Sequence, residues 1–551
     1  MTTPPARATV RRLRVRGWLK TLSPLHVGGA GHDPNGVLPV ATDGQGRLYV
    51  PGTGLAGPLR ALLRPGRSTS EPDTLWGFSE PGTRNAAVSR FVVHGALICS
   101  GTDLDDAGEP AAPLDPSRLE IRHSVGIDRH RGTAAHGFLH ARTVVPKGSL
   151  LRFALDLNSG TDDTWDEDRR RIRRLLALLA DRRLRLGAAK TRGLGRLVLL
   201  QDLTEVYEQD LTGADGLFAV LGRGGTKTEP STADRAHEAG RQEDQERREH
   251  RVDASPGLLD VTISWRPTAP VMVRSATDGF TVDALPLTSA VSPDRLSPVL
   301  PGSALKGVLR SHAERIERTV RRIDAPTVDP DAPAPDRSAA FRRQLAQLPV
   351  ANALFGTAPD GGKATGDGDD RPQSAGAVIV DDCYANAEIP ADLWSGLHQP
   401  DDAPDFAGRT AWETLRDEHG MERADHVAID RWTGGAADGR LYSTLEPQGL
   451  EWEPISLTVD LARLGSRDHD GRPLGDAAQA LLMLTLRDLQ AGRIRLGFAV
   501  NRGMGDIQVT SVTLGRPGDD RTTTLDDFLA GDRARALTEA WRSCTTEGSP
   551  A

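Results

Sequence analysis

The chain has 551 residues, 38% hydrophobic and 26% charged, an ordinary globular composition that is too long for one core, so two or three domains are expected. No stretch approaches ~18 unbroken apolar residues, and the basic N-terminus has no apolar run behind it, so neither a membrane span nor a secretion signal is expected. A net charge of −8 argues against indiscriminate nucleic-acid binding but leaves room for a locally basic groove, and three distant cysteines (Cys99, Cys383, Cys544) without metal spacing point to a reducing cytoplasm.

In chain order, VRRLRVRGWL at 10–19 alternates through Leu13 and Val15 and reads as a strand. PGTGLAGPLR at 51–60 follows as a turn that opens a helix, with Thr53 as the expected cap and Arg60 as its basic residue. LWG at 75–77 and GIDRHRGTAAHGFLHA at 126–141 come next. An amphipathic helix is expected over 168–183, with Ile172, Leu175, Leu176, Leu178 and Leu179 on one face and arginines opposite. RLGAAKTRGLG at 185–195 then leads into a strand. From Arg169 to Arg196 there are eleven Lys or Arg and a single acid, Asp181. A charged segment follows, and the series then starts again.

The second series carries the same blocks in the same order. LLDVTISW at 258–265 alternates through Leu259, Val261, Ile263 and Trp265. PGSALKGVLR at 301–310, LFG at 354–356, AIDRWTGGAADGRLYS at 428–443 and RLGFAVNRGMG at 495–505 match the first-half blocks at offsets growing from 250 to 310. Four blocks in one order indicate a duplication. The growing offset locates extra residues in the second half, at 323–337, 357–376 and about 386–424. The first two lack apolar residues and are expected to be flexible loops. The resulting organisation is a first domain at 1–215, a charged linker at 216–257, a second domain at 258–516 and a helical tail at 517–551. Strand, helix, strands, helix, strand is the order of a ferredoxin-like (RRM-like) α+β domain, here present twice. In the tail, Leu525, Phe528, Leu529, Ala536, Leu537, Ala540 and Trp541 form a helical stripe expected to cover the second domain.

Two blocks carry candidate chemistry. The free N–H groups at the start of the PG helix suit an anion. In the second copy Ser303 is the expected cap, with Lys306 and Arg310 one turn apart on one face; the first copy has Ala56 in place of the lysine. The bland alternative is a capped helix with a solvated basic face. The glycine-rich block places Gly187, Gly193 and Gly195 opposite Gly497, Gly503 and Gly505, with Lys190, Arg192 and Arg502 adding charge. Its glycines precede a strand and no Gly-Lys-Ser/Thr follows, which disfavours dinucleotide and P-loop folds; the bland alternative is a tight turn. His123, His130, His136 and His140 cluster in the first half, but His136 matches Asp438 and His140 matches Tyr442, so a histidine metal site is disfavoured.

PGSALKGVLR and the RG-x-G loop before the last strand resemble the RAMP superfamily of CRISPR proteins. SPLHVGG at 23–29 and the Ile-Asp-Arg blocks resemble in particular the backbone subunit of type III CRISPR effector complexes. The resemblance spans roughly 10–200 and 258–512. It implies a tandem fusion of two backbone domains that bind CRISPR guide RNA (crRNA), pair it with target RNA and work with other type III effector subunits in antiviral defence in the cytoplasm. It implies a β-hairpin thumb in each half, at Ile127, Asp128 and Arg129 and at Ile429, Asp430 and Arg431, with Trp432 and Tyr442 as the stacking candidates. It also implies a carboxylate in the loop before the PG block that supports endoribonuclease cleavage of target RNA with magnesium or manganese. Asp283 is the match, with Asp278 behind it. In the first half Gly36 stands at the matching position, and Asp33 is the nearest acid. A non-catalytic crRNA scaffold and a stand-alone guide-processing ribonuclease are the competing readings.

Overall fold

The computed structural model describes residues 9–31, 36–63, 75–79, 86–101, 112–160, 164–228, 257–280, 282–357, 375–398, 407–469, 471–517 and 521–546. Asp33, the middle of the second insertion and most of the linker lie outside them. The chain gathers into two compact units. Unit 1 comprises Met1–Ile121, Arg142–Lys190 and Leu194–Ala254; unit 2 comprises Arg122–Ala141, Thr191–Gly193 and Ser255–Ala551.

The first repeat contains β1 (Arg11–Thr21), α1 (Gly52–Leu63), β2 (Phe91–Val93), β3 (Ala96–Cys99), the hairpin strands β4 (Glu120–Ile127) and β5 (Ala134–Val144), β6 (Leu150–Ser159), α2 (Trp165–Ala180), the two-residue β7 (Arg192–Gly193) and β8 (Arg196–Asp210). In unit 1, β1 lies between β8 and β6, and β6 pairs with β2 and β3 on its other edge, all antiparallel. Counting principal strands along the chain, the spatial order is fourth, first, third, second. Alternation in β1 buries Leu13 and Val15. The expected stripe of α2 buries Ile172, Leu175 and Leu179 in the same core, each worth roughly 2 kcal/mol of apolar burial. The boundary span 214–228 forms a helix at Ala214–Arg223 and a short strand at Thr226–Thr228 that extends the sheet along β8.

The second repeat contains β9 (Leu258–Pro267), α3 (Gly302–Arg321), α4 (Ala334–Ala346), β10 (Val378–Asp381), the hairpin strands β11 (Met421–Ile429) and β12 (Ala436–Pro447), β13 (Ile455–Asp460), α5 (Gly475–Gln490), β14 (Ile507–Gly515) and α6 (Asp532–Thr546). Its sheet runs β14-β9-β13-β10, again fourth, first, third, second and antiparallel. Each repeat has a register shift at one place on the first strand, between Arg16 and Trp18 and between Ser264 and Trp265. The duplication read from four short blocks thus reappears as the same strand order with a helix after the first and third strands.

Two expectations change. The insertion at 323–337 is not all loop: its end opens α4, which buries Ala340 and Phe341. Helix formation there draws on apolar residues just past the polar stretch. The tail helix packs against α5 with Ala534, Leu537 and Trp541 buried, so position 534 replaces the expected Ala536 on the stripe. No helix among the described residues is long and apolar enough to cross a membrane.

Candidate functional site

The PG helices begin at Gly52 and Gly302, two residues earlier than the expected caps imply, so Thr53 and Ser303 sit inside the first turn rather than at the cap position. Asp382 takes that role for α3: its Oδ1 accepts the Gly302 N–H at 2.7 Å, and its Oδ2 lies 3.8 Å from the buried Arg122 guanidinium. The anion position at this helix start is therefore held by a carboxylate of the protein itself, from 80 residues along the chain.

Lys306 corrects the expected phosphate grip. It is 6% exposed, and its Nζ donates to the Val378 carbonyl at 2.6 Å. Burial pushes its pKa down to about 7, and Arg192, Arg310 and Arg463 add repulsion in the same direction. Arg310 is also turned inward, donating to Glu314 at 2.6 Å, to the Gly356 carbonyl and to Asn352. The two residues share a face as expected, but that face is packed on β10 and its neighbours rather than open to solvent. Arg60 is half-buried on the last turn of α1, and Thr53 is exposed on the first.

The glycine-rich blocks fold as tight turns in both repeats. Gly187 and Gly497 both have positive φ, and a Cβ there would meet the carbonyl oxygens of His26 and Met272 at 2.0 and 2.2 Å. The N–H of Gly195 donates to Pro24 and that of Gly505 to Pro270, so these donors serve the fold. Ala189 and Ala499, at matching positions, are left-handed (φ 55° and 51°), a conformation alanine seldom adopts. The sequence signal for that strain was nil, because alanine carries no positive-φ preference. Lys190, Arg192 and Arg502 are exposed beside these turns. Gly193 lies against Asp382 and Gly302, with β7 paired parallel to β10; its counterpart Gly503 faces open space.

The two Ile-Asp-Arg turns share one local geometry. Asp128 Oδ1 accepts the N–H groups of His130 and Arg131 at 2.9 and 2.8 Å, and Asp430 Oδ1 accepts those of Trp432 and Thr433 at 2.7 and 3.0 Å. Backbone hydrogen bonds close both loops, Asp128 to Thr133 and Asp430 to Gly435. The aspartate is thus the turn's own cap, which accounts physically for its place in both blocks. Donation from Thr433 and Trp432 holds the Asp430 carboxyl below its usual range.

Their surroundings differ. In unit 2 the first turn sits on α3 and α4: Arg129 Nε donates to Glu314 at 2.6 Å, its N–H donates to Gln344 at 3.0 Å, and Phe138 meets Phe341 edge-on at 4.6 Å. The second turn is open, with Trp432 96% and Ile429 57% exposed and Arg431 exposed between them.

Midway along the second hairpin several polar groups converge. The exposed Asp283 accepts from the Ser443 N–H at 2.7 Å and from its hydroxyl at 3.0 Å through Oδ2. Beside Ser443, Tyr442 stacks on His426 with ring centres 5.0 Å apart, and Arg502 donates to the Tyr442 hydroxyl while its guanidinium lies 5.7 Å from the ring. Asp283, Tyr442 and Arg502, far apart in the sequence, meet at this one hairpin, where His426 and Ser443 join them. Strand register could have found His426, since it lies directly across from Tyr442. Asp278 is outside this cluster, paired with Arg274 at 2.6 Å. No group of three or more potential metal-ligating side chains occurs among the described residues. Asp283 offers one carboxylate, which fits a magnesium ion that takes its remaining ligands from RNA phosphate and water.

The family model of the RAMP superfamily matches residues 18–198 and 269–508, one stretch in each repeat. A comparison with curated proteins found no match.

Proposed function

The chain belongs to the RAMP superfamily, a superfamily of CRISPR-associated proteins, and from that premise we propose that it is a guide-RNA-binding backbone subunit of a type III effector complex that cuts guide-paired target RNA. Two tandem ferredoxin-like domains are the proposed architecture, supported by the fourth-first-third-second strand order in each repeat. The hairpins β4–β5 and β11–β12 are the proposed thumbs. crRNA, target RNA and further effector subunits are the proposed partners.

The observation that carries the catalytic part is Asp283 against Ser443, midway along the second hairpin and close to Tyr442 and Arg502. A hairpin that displaces a target nucleotide breaks the A-form backbone, and this frees the adjacent 2′-oxygen to line up with phosphorus. That oxygen attacks, the bond to the 5′-oxygen breaks, and the proton passes from the 2′-hydroxyl to the departing 5′-oxygen. Asp283 orients the 2′-hydroxyl as acceptor. It would also hold the divalent ion, magnesium or manganese, which neutralises phosphate charge when bound. Arg502 is placed for the phosphate and Tyr442 with His426 for a splayed base. Asp33, as the acid of the first half, belongs to the same proposal as a second and separate cut.

The test is the assembled complex with guide, labelled target and magnesium. Asp283→Ala should abolish one product while guide binding changes less than about twofold, since a surface carboxylate contributes no attraction to a polyanion. An intact product ladder would remove the catalytic role and leave a crRNA scaffold.

A further inference from the structure

Unit 2 holds a cavity of about 700 Å³ that no part of the proposed reaction uses. Its wall is the outer face of α3, its far side the segment 323–327, and its rim the docked Arg129 turn. Arg129, Arg315, Arg318 and Arg322 line it together with Glu314 and Asp324. Four guanidiniums therefore face two carboxylates. The carboxyl end of α3 adds about half a negative charge, and the balance stays positive.

The cations differ in how firmly they are held. Arg129 is paired with Glu314, and Glu314 is already shared with Arg310. Among the described residues Arg318 donates to neutral oxygens, the main-chain oxygens of Asp324 and Gln344 and the Gln347 side chain, rather than to a carboxylate. Arg315 donates to His312 Nδ1. Arg322, the left-handed cap of α3, is exposed and has no ion-pair partner among the described residues. Ser311 and Thr319 add hydroxyls to the same wall. Guanidinium forks with hydroxyls between them match the oxygens of a phosphodiester better than any apolar ligand, and the volume exceeds that of a single phosphate.

We infer that this cavity is a second phosphate-binding site that takes the backbone of an RNA strand, with Arg315 and Arg322 as its contacts and the docked Arg129 turn completing its rim. The inference rests on the RNA-binding reading above and assigns part of that binding to residues away from the Asp283 hairpin.

The experiment measures equilibrium binding of a fluorescent single-stranded RNA of mixed sequence to the full chain across a salt series. The wild type is compared with Arg315→Glu/Arg322→Glu and with Arg535→Glu/Arg542→Glu, an equal charge change on the exposed face of α6. The cavity variant should lose roughly tenfold in affinity at low salt and its salt slope should fall by roughly 1.4, two contacts at about 0.7 each. The α6 variant should change neither. Equal losses in both variants would mean a general field and overturn the site. An unchanged cavity variant with a binding wild type would overturn the site and leave the RNA reading standing, whereas a wild type that binds no RNA would sink the reading itself. Inorganic tripolyphosphate is the second probe: saturable binding that needs Arg315 and Arg322, with RNA affinity unaffected by their loss, would assign the cavity to a free phosphate and overturn the RNA strand.

Discussion

The turn at Ile127–Asp128–Arg129 and the turn at Ile429–Asp430–Arg431 are built alike and used differently. Each aspartate caps its own loop through two backbone N–H groups. Yet Asp128 is 5% exposed and also receives Gln344 at 3.3 Å, whereas the Asp430 turn ends in a tryptophan that is 96% exposed. The receiver of the first turn is in large part α4, which follows the insertion of the second repeat and has no counterpart block in the first. Local sequence sets the shape of such a turn; what it does depends on whether another element offers it a partner. The same divergence appears on the PG helices, where Ala56 in the first repeat stands against a buried Lys306 in the second.

The largest effect should separate the two arginines. Arg129→Ala leaves the 2%-exposed Glu314 carboxylate with one guanidinium fewer and should destabilise unit 2 by about 3 kcal/mol. Arg431→Ala should stay within about 0.5 kcal/mol. Denaturant unfolding of both variants checks this; equal losses would break the comparison.

Lys306→Met should stabilise the protein at neutral pH and below. The folded-state pKa of about 7 lies beneath the ordinary lysine value of 10.5. Between those limits the unfolded chain binds more protons than the folded one, so stability rises with pH there, by up to ~1.4 kcal/mol per unit. The variant should lose that rise, read from unfolding midpoints between about pH 7 and pH 10, while Ala56→Met should leave the pH profile as it is.

Asp430→Ala should loosen its turn locally, as loss of other capping side chains does, seen as faster amide exchange at Trp432 and Thr433. Asp128→Ala should cost more, because Gln344 is left with one partner fewer. The smallest effect belongs to Trp432→Ala, within about 0.5 kcal/mol of wild-type stability; a larger loss would mean that the second turn is docked as the first is.

Much of the fold was legible beforehand. Leu13 and Val15, Val261, Ile263 and Trp265, and the stripe of α2 follow period two or 3.6, and those periods depend only on backbone geometry. The matching blocks implied one fold twice, and the strand order agrees. The site was legible only in pieces. Asp283, Tyr442 and Arg502 were singled out on separate grounds, while His426 and Ser443 join them only through strand register across β11–β12 and a loop 160 residues away.

Sequence by itself determined the repeat and the alternating and helical faces, because matching blocks and residue periods are local patterns a few residues long. Tertiary structure alone decided that Asp382 caps α3, that Lys306 and Arg310 turn inward, and that one of two equivalent turns is docked while the other stays open. Each of these depends on groups brought together from distant parts of the chain: a carboxylate 80 residues from the N–H it caps, a carbonyl 72 residues from the lysine, a glutamate 185 residues from its arginine. Desolvation and pairing at such sites follow from what the folded chain places beside a residue, and no local pattern encodes that.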